Sequence, residues 1–330
     1  MSDKIFRVAI LDDFEQLADT APTYAKLKQR AEVTILRERL DSSAKIVQVL
    51  RDFDAILLMR ERTRFSDQEY SGLPNLKFIA QTGRTTAHLD LPAATRHGIA
   101  AAGTAIDNGM STTEITVALI LSLMRKIPQV NQRMREELWP PLAGRVLGGK
   151  TVGVLGFGRI GAEVARIMKA FNTRVLAYSR TLTADQAGRV GAECVPMATL
   201  LRESDIVTIH IGLKPETRGM IGEQEFAAMK QGALLVNTSR GPLIAEAAMI
   251  KALDSGQLGG VALDVFDIEP LPMAHPLRQF DNAILTSHRG YATVEILTER
   301  YEQALQNILS FIEDKPVDLL NPEVRTHGKS

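Results

Sequence analysis

The sequence predicts an α/β chain with two doubly wound parallel sheets, and three observations carry that reading. Short apolar runs alternate with helical patterns along nearly the whole chain, as expected for strands buried on both faces of a parallel sheet. A glycine-rich turn, Gly156-Phe-Gly-Arg-Ile-Gly161, joins one such run to a helical pattern in mid-chain. The length, 330 residues, is enough for two hydrophobic cores.

Taken in order, apolar runs at 5–11, 33–36, 55–59, 78–81 and 99–101 read as parallel strands. Helical patterns at 23–30, 44–50 and 67–73 lie between them. No phosphate-binding glycine motif follows the first strand, which ends in Leu11-Asp-Asp13. A long helical pattern covers 111–134, with Ser111 or Thr112 as its N-cap and Glu114 in the first turn, where a carboxylate meets the positive helix end. Trp139-Pro-Pro141 breaks the chain before the next strand at 151–155. A helix at 162–170 and a strand at 174–178 follow, then strands at 206–209, 233–236, 261–264 and 283–285. Gly256, Gly259 and Gly260 mark a turn before Val261. The last helical pattern, 294–312, is expected to return to the first unit.

The glycine turn points to a dinucleotide. Gly156 makes the tight turn, Gly158 lets a pyrophosphate approach the backbone, and Gly161 lets the helix pack closely on its strand. The helix N-terminus then offers unpaired N–H groups and a partial positive charge to phosphates. A strand before the turn and a helix after it are the context such a motif requires. The expected cofactor contacts are therefore Gly156, Phe157, Gly158, Arg159, Ile160 and Gly161, with Ser179, Arg180 and Thr181 at the end of the second strand. An NAD site places a carboxylate at that strand end, for the ribose 2′-OH. Here Ser179 stands there and Arg180 follows. A guanidinium can hold a 2′-phosphate, so NADP is expected, with NAD as the alternative. Both sheets then read as Rossmann-like. The expected domains are 1–102 with 294–330 for substrate and 103–293 for the dinucleotide, with an active-site cleft between them.

Composition removes other classes. Lys and Arg together number 39, as do Asp and Glu, so no basic footprint suggests nucleic acid or an anionic membrane surface. The longest apolar stretch, 115–124, is too short to span a bilayer. Cys194 is the only cysteine, which excludes an internal disulfide framework and a cysteine-rich metal site; it reads as a packing residue. The opening Met-Ser-Asp-Lys lacks a signal-peptide pattern, so the expected address is cytoplasmic. No metal is expected.

Three titratable or charged residues stand just past late strands, on the side where such sheets bind ligands. Arg240 follows Leu235-Val-Asn-Thr-Ser239, Glu269 follows Asp264-Val-Phe-Asp-Ile268, and His288 follows Ile284-Leu-Thr-Ser287. With Gly156-Phe-Gly-Arg-Ile-Gly161, Ser204-Asp-Ile-Val-Thr-Ile-His210, Asn237-Thr-Ser-Arg-Gly241, Leu263-Asp-Val-Phe-Asp-Ile-Glu-Pro270 and Thr286-Ser-His288 in this order, the chain resembles the D-2-hydroxyacid dehydrogenase family over nearly its whole length. The resemblance implies Arg240, Glu269 and His288 as the catalytic set and a discontinuous substrate domain. It also implies homodimers, and cofactor contacts at His210, Thr217, Thr238, Ser239, Arg240, Asp264 and His288. The loop Gln81-Thr-Gly-Arg-Thr-Thr-Ala-His-Leu-Asp90 matches the family's substrate loop, so Thr82, Gly83 and Arg84 join Arg240 and His288 as substrate residues.

The chemistry suits those roles. Arg240 can bind a carboxylate and carbonyl oxygen through its planar fork. His288 is the natural proton donor near neutral pH, and Glu269 would hold the imidazole and favour its charged form. The expected activity is reduction of a small 2-keto acid such as glyoxylate or hydroxypyruvate to the D-2-hydroxy acid. A phosphoglycerate dehydrogenase-like enzyme and a dinucleotide-sensing, co-repressor-like scaffold are the alternatives; with no added regulatory domain expected in 330 residues, the phosphoglycerate option ranks lower without being excluded, since short forms exist. Some positions depart from the family pattern. Ser287 replaces a common Pro, Ile211-Gly212 replaces another, and Arg289 and Arg84 stand where small or apolar residues are usual. Arg60, Arg62 and Arg84 suggest a more anionic or larger substrate, or else a charged surface. Trp139 is expected at the partner subunit's site or at the dimer interface.

Overall fold

The computed structural model of the chain describes residues 5–104, 109–136, 139, 141–315 and 317–324. Residues 1–4 and Pro140 of the expected break lie outside them. The chain divides into two units, Met1–Asp107 with Thr293–Ser330, and Asn108–Ala292.

The first unit runs β1 (Phe6–Ile10), α1 (Pro22–Lys28), β2 (Ala31–Ile35), α2 (Ser43–Leu50), β3 (Ala55–Leu58), α3 (Asp67–Ser71), β4 (Phe78–Gln81), α4 (Leu91–Arg96) and β5 (Ala100–Gly103). Its five strands pair in parallel in the order β2-β1-β3-β4-β5. β3 is buried at every position, which is why Ala-Ile-Leu-Leu reads as an unbroken apolar run. Side-chain caps start several helices: Ser42 accepts from Lys45 N, and Asp90 from Ala93 N ahead of Pro92.

The second unit runs α5 (Met110–Arg125), α6 (Ile127–Arg135), β6 (Thr151–Leu155), α7 (Arg159–Ala170), β7 (Arg174–Tyr178), α8 (Ala184–Gly188), β8 (Glu193–Cys194), α9 (Met197–Glu203), β9 (Ile206–Ile209), α10 (Glu223–Ala228), β10 (Ala233–Asn237), α11 (Glu246–Asp254), β11 (Leu258–Leu263) and β12 (Ala283–Leu285). Seven parallel strands lie in the order β12-β11-β10-β9-β6-β7-β8. Two buried clusters, one holding Leu155, Leu235 and Leu263 and the other Val154, Val236 and Ala262, take alternate residues of the same strands, so both sheet faces are covered. Strand order reverses between β6 and β9, and a parallel sheet binds ligands beyond its carboxyl edge at such a point. The chain closes with α12 (Val294–Ile312), capped by Thr293 and packed in the first unit, where Thr23 N and Oγ1 donate to Glu302 at 2.7 Å.

Three element readings need correction. The expected helix over 111–134 is two helices, parted by Lys126 in the left-handed region (φ 54°). Pro128 lacks an N–H and its ring cannot pass the carbonyl four residues back. That carbonyl, Met124 O, instead accepts from Arg145 N at 2.7 Å. The N-cap is Gly109 (φ 78°), not Ser111 or Thr112: Ser111 is buried in the first turn, and Thr112 Oγ1 donates to Gly290 O at 3.0 Å. Finally, Gly256 turns the chain, but Gly259 and Gly260 lie inside β11. A β-carbon at Gly259 would stand 2.4 Å from Gly232 O, so close backbone approach explains the glycine there.

Candidate active site

The cradle after β6 is built from backbone. Gly156 donates its N–H to Tyr178 O at 2.8 Å with φ 93°, and a β-carbon on it would lie 2.4 Å from His210 O. At Gly161 a β-carbon would sit 2.0 Å from Gly156 O, so only glycine lets α7 come this close to the turn. Gly158 is different: a β-carbon there would meet nothing within 4 Å, and this residue caps α7 without a side-chain acceptor. The first N–H groups of a 12-residue helix thus stand over an open backbone face. Phe157 and Ile160 anchor the turn by packing on the core, while Arg159 is exposed. These residues fit a dinucleotide diphosphate.

Beyond β7, Ser179 is half-buried, and Arg180 and Thr181 are exposed. Arg180 Nη1 lies 3.8 Å from Glu216 Oε1. Beyond β9, His210 Nε2 and Thr208 Oγ1 are 3.0 Å apart, and burial pushes the imidazole pKa down to about 4, so it is neutral near pH 7. Thr217 is engaged within its own loop, accepting from Lys214 N at 2.8 Å and donating to Gly212 O at 3.0 Å.

Arg240, Glu269 and His288 follow β10, β11 and β12, three neighbouring strands. The turn carrying Arg240 is held by buried Asn237, whose Oδ1 accepts from Ser239 N at 3.0 Å and whose Nδ2 donates to Arg240 O at 2.9 Å. Ser239 Oγ donates to Ile211 O at 2.5 Å, Arg240 Nη1 donates to Ser239 O at 2.7 Å, and the Thr238 hydroxyl turns into α5 against Thr116 at 2.8 Å. Gly241 presses on the Phe266–Asp267 backbone, where a β-carbon would be 2.0 Å from Phe266 C. Phe266 N in turn donates to Glu269 Oε1 at 2.9 Å. Glu269 Oε2 stands 2.7 Å from His288 Nδ1. Burial is the largest influence on Glu269 and opposes its charge. The His288 hydrogen bond and charge, the Phe266 N–H and Arg240 outweigh it together, so its pKa lies below the ordinary value.

His288 has φ 55°, a conformation that costs a non-glycine residue about 1–2 kcal/mol. Asp264 holds it there. His288 N donates to Asp264 O at 2.8 Å. The Asp264 carboxylate, 1% exposed, accepts from Thr286 Oγ1 at 2.6 Å, Arg289 N at 2.7 Å and Gly290 N at 2.7 Å. Asp264 therefore fixes the loop that carries His288. That role was not legible from the motif, and neither were those of Asn237, Thr112 and the Phe266 N–H. The one available signal was an Asn two residues before Ser239, the spacing of a side-chain-closed turn.

Thr82, Gly83 and Arg84 lie in the first unit. Thr82 Oγ1 accepts from Arg60 N at 2.8 Å, Gly83 (φ 88°) donates to Thr104 Oγ1 at 2.7 Å, and Arg84 Nη1 donates to Asp318 Oδ2 at 2.6 Å. Arg62 forms a fork with Glu15 at 2.7 and 2.9 Å and also donates to Asp12 O, and Arg60 Nε is 3.4 Å from Glu61. Each of these cations thus has a carboxylate beside it. Cys194 is a strand residue whose thiol donates weakly to Leu182 O at 3.5 Å. Trp139 is 88% exposed. Among the described residues no helix is long and apolar enough to cross a membrane, and no group of three or more His, Cys, Asp or Glu could hold a metal.

Comparison with known proteins adds the family. The family model for the D-isomer specific 2-hydroxyacid dehydrogenase NAD binding domain matches residues 117–290. A glyoxylate reductase from Thermofilum pendens is 35% identical over 314 residues, 92% of each chain. A D-3-phosphoglycerate dehydrogenase from Bacillus subtilis is 36% identical over 270 residues, 81% of this chain, and this chain spans only 51% of that longer protein. A solved phosphoglycerate oxidoreductase from Vibrio cholerae superposes with a TM-score of 0.87 at 28% identity, covering 94% of this chain and 100% of that one. With two parallel-sheet α/β units and a Rossmann-type second unit, the chain belongs to the D-isomer specific 2-hydroxyacid dehydrogenase family.

Proposed function

We propose that the chain reduces a small 2-keto acid to the D-2-hydroxy acid with a nicotinamide dinucleotide, NADPH in preference to NADH. The observation that carries this is the Glu269–His288 pair, 2.7 Å apart, at the same sheet edge as Arg240 and the glycine cradle. Bound nicotinamide supplies the hydride for C2. Arg240 binds the keto acid through its fork and stabilises negative charge on the carbonyl oxygen. His288 donates Nδ1–H to Glu269, which leaves Nε2 to hand a proton to that oxygen. Glu269 holds the imidazole and Asp264 holds its loop. The cradle from Gly156 to Gly161 takes the diphosphate, and Arg180, with no carboxylate directly after β7, favours a 2′-phosphate. Thr82, Gly83 and Arg84 are assigned to substrate on family resemblance alone.

Pairing of Arg62 with Glu15 and of Arg84 with Asp318 favours a small monoanionic acid over a phosphorylated one. Relatives named glyoxylate reductase support the same choice. We further infer a homodimer, because α6 buries none of its residues and Ile127, Met134, Trp139 and Val146 are exposed, and a cytoplasmic address, from the lone cysteine. The test is the initial rate of NADPH and NADH oxidation with glyoxylate, hydroxypyruvate, pyruvate and 3-phosphohydroxypyruvate. Fast turnover of an unphosphorylated acid with NADPH is expected. Selective turnover of the phosphorylated acid would replace this reading with the phosphoglycerate one.

A further inference from the structure

Arg180 has a carboxylate for company. Its Nη1 lies 3.8 Å from Glu216 Oε1, with the two side chains 68% and 53% exposed. Glu216 sits in the short 3-10 turn Pro215–Thr217, which the Thr217 hydroxyl ties down at both ends through Lys214 N and Gly212 O. β7 and β9 flank β6 in the sheet, so the loops carrying Arg180 and Glu216 bracket the glycine turn from its two sides. An adenosine ribose leaving a diphosphate held on that turn meets one cation and one anion.

We propose that Glu216 sets cofactor selectivity as the resident counter-ion of Arg180, which a ribose 2′-phosphate must displace. This rests on the reading that the second unit binds a nicotinamide dinucleotide. A phosphate monoester carries about −1.5 to −2 charges at pH 7, so it draws Arg180 and repels Glu216. A ribose 2′-OH is uncharged and can donate a hydrogen bond to the carboxylate. Arg180 therefore favours the phosphorylated cofactor while Glu216 favours the other, and selectivity is the difference between them. Exposed ion pairs are weak and screened by salt, so the Glu216 contribution is a factor of up to about five at low ionic strength.

The test uses the adenosine half alone. Dissociation constants for 5′-AMP and adenosine 2′,5′-bisphosphate are measured by calorimetry, at low and high salt, for the wild-type chain, Glu216→Gln, Arg180→Gln and the double variant. Glu216→Gln is expected to raise the preference for the bisphosphate about two- to fivefold, an effect that shrinks at high salt and in the Arg180→Gln background. Arg180→Gln alone is expected to lower that preference about tenfold or more. An unchanged or lowered preference in Glu216→Gln, with Arg180→Gln behaving as expected, overturns the role of Glu216 and leaves dinucleotide binding intact. Equal preference in wild type and Arg180→Gln overturns the pairing itself. Failure of both probes to bind the wild-type chain overturns the dinucleotide reading, and this proposal with it.

Discussion

At Glu269, burial works against a negative charge while His288, the Phe266 N–H and Arg240 work for it, and the second group prevails. A carboxyl depressed in the folded chain stabilises it fully above the ordinary value near 4.3, and that contribution is lost as pH falls through the lower folded value. The side chain is 36% exposed, so solvent screens the gain in stability. Its kinetic consequence is read in turnover, since Glu269 Oε2 holds the His288 imidazole at 2.7 Å. In Glu269→Gln, kcat for keto-acid reduction is expected to fall with the dinucleotide Kd unchanged; turnover matching wild type would contradict the pairing. His288→Ala is expected to lose about 10²–10⁴ in kcat with dinucleotide binding retained. Retained turnover would remove His288 as the acid. Asp264→Ala separates two roles: as the anchor of the His288 loop it should lower kcat and leave the dinucleotide Kd unchanged, whereas a direct cofactor contact would weaken Kd first.

At the scale of elements, the glycine turn and α7 depend on one close approach. Gly161→Ala places a methyl group 2.0 Å from Gly156 O, and overpacking of this kind costs about 1–3 kcal/mol. The variant is expected to melt at lower temperature and bind dinucleotide more weakly, read by thermal unfolding and by titration. An unaltered melting temperature would mean that the turn yields freely. Strands were legible here because burial on both faces leaves apolar runs, as in Ala55–Leu58 and Ile206–Ile209. Legibility failed where distant backbone sets the requirement. Gly259 is glycine because of Gly232, 27 residues earlier (259 − 232), and no local pattern records that. Pro128 was visible, but the apolar period runs straight through it, and periodicity does not register a missing N–H.

For the molecule as a whole, one regularity explains why Arg240, Glu269 and His288 could be picked from a string. Parallel strands all end at the same edge, so residues just past strand ends gather without further instruction. Of their supports, Asn237 acts within its own turn, while Asp264 and Thr112 depend on long-range register and become visible only in the fold. Ligand linkage gives a check on the second unit. Dinucleotide at 100 times its Kd stabilises by about 2.7 kcal/mol, roughly 5–10 °C in melting temperature for a unit of this size. An unmoved transition would contradict placing the cofactor there. The division of the chain also has a consequence during synthesis. Residues 108–292 form one unit inserted into the other, so β1–β5 are translated 185 residues (292 − 108 + 1) before α12 begins to emerge. At about 5–20 residues per second, that interval is roughly 10–40 s. Through it the surface awaiting Leu297, Tyr301, Leu305 and Ile308 stays uncovered, and the Asn321 side chain that later bonds Ala101 N and Ile99 O is missing. The inserted unit, contiguous in sequence, is expected to complete its core before the first unit does, so stalled chains ending near 292 should protect the second unit from protease and leave β1–β5 open to it; equal protection of both would contradict this order.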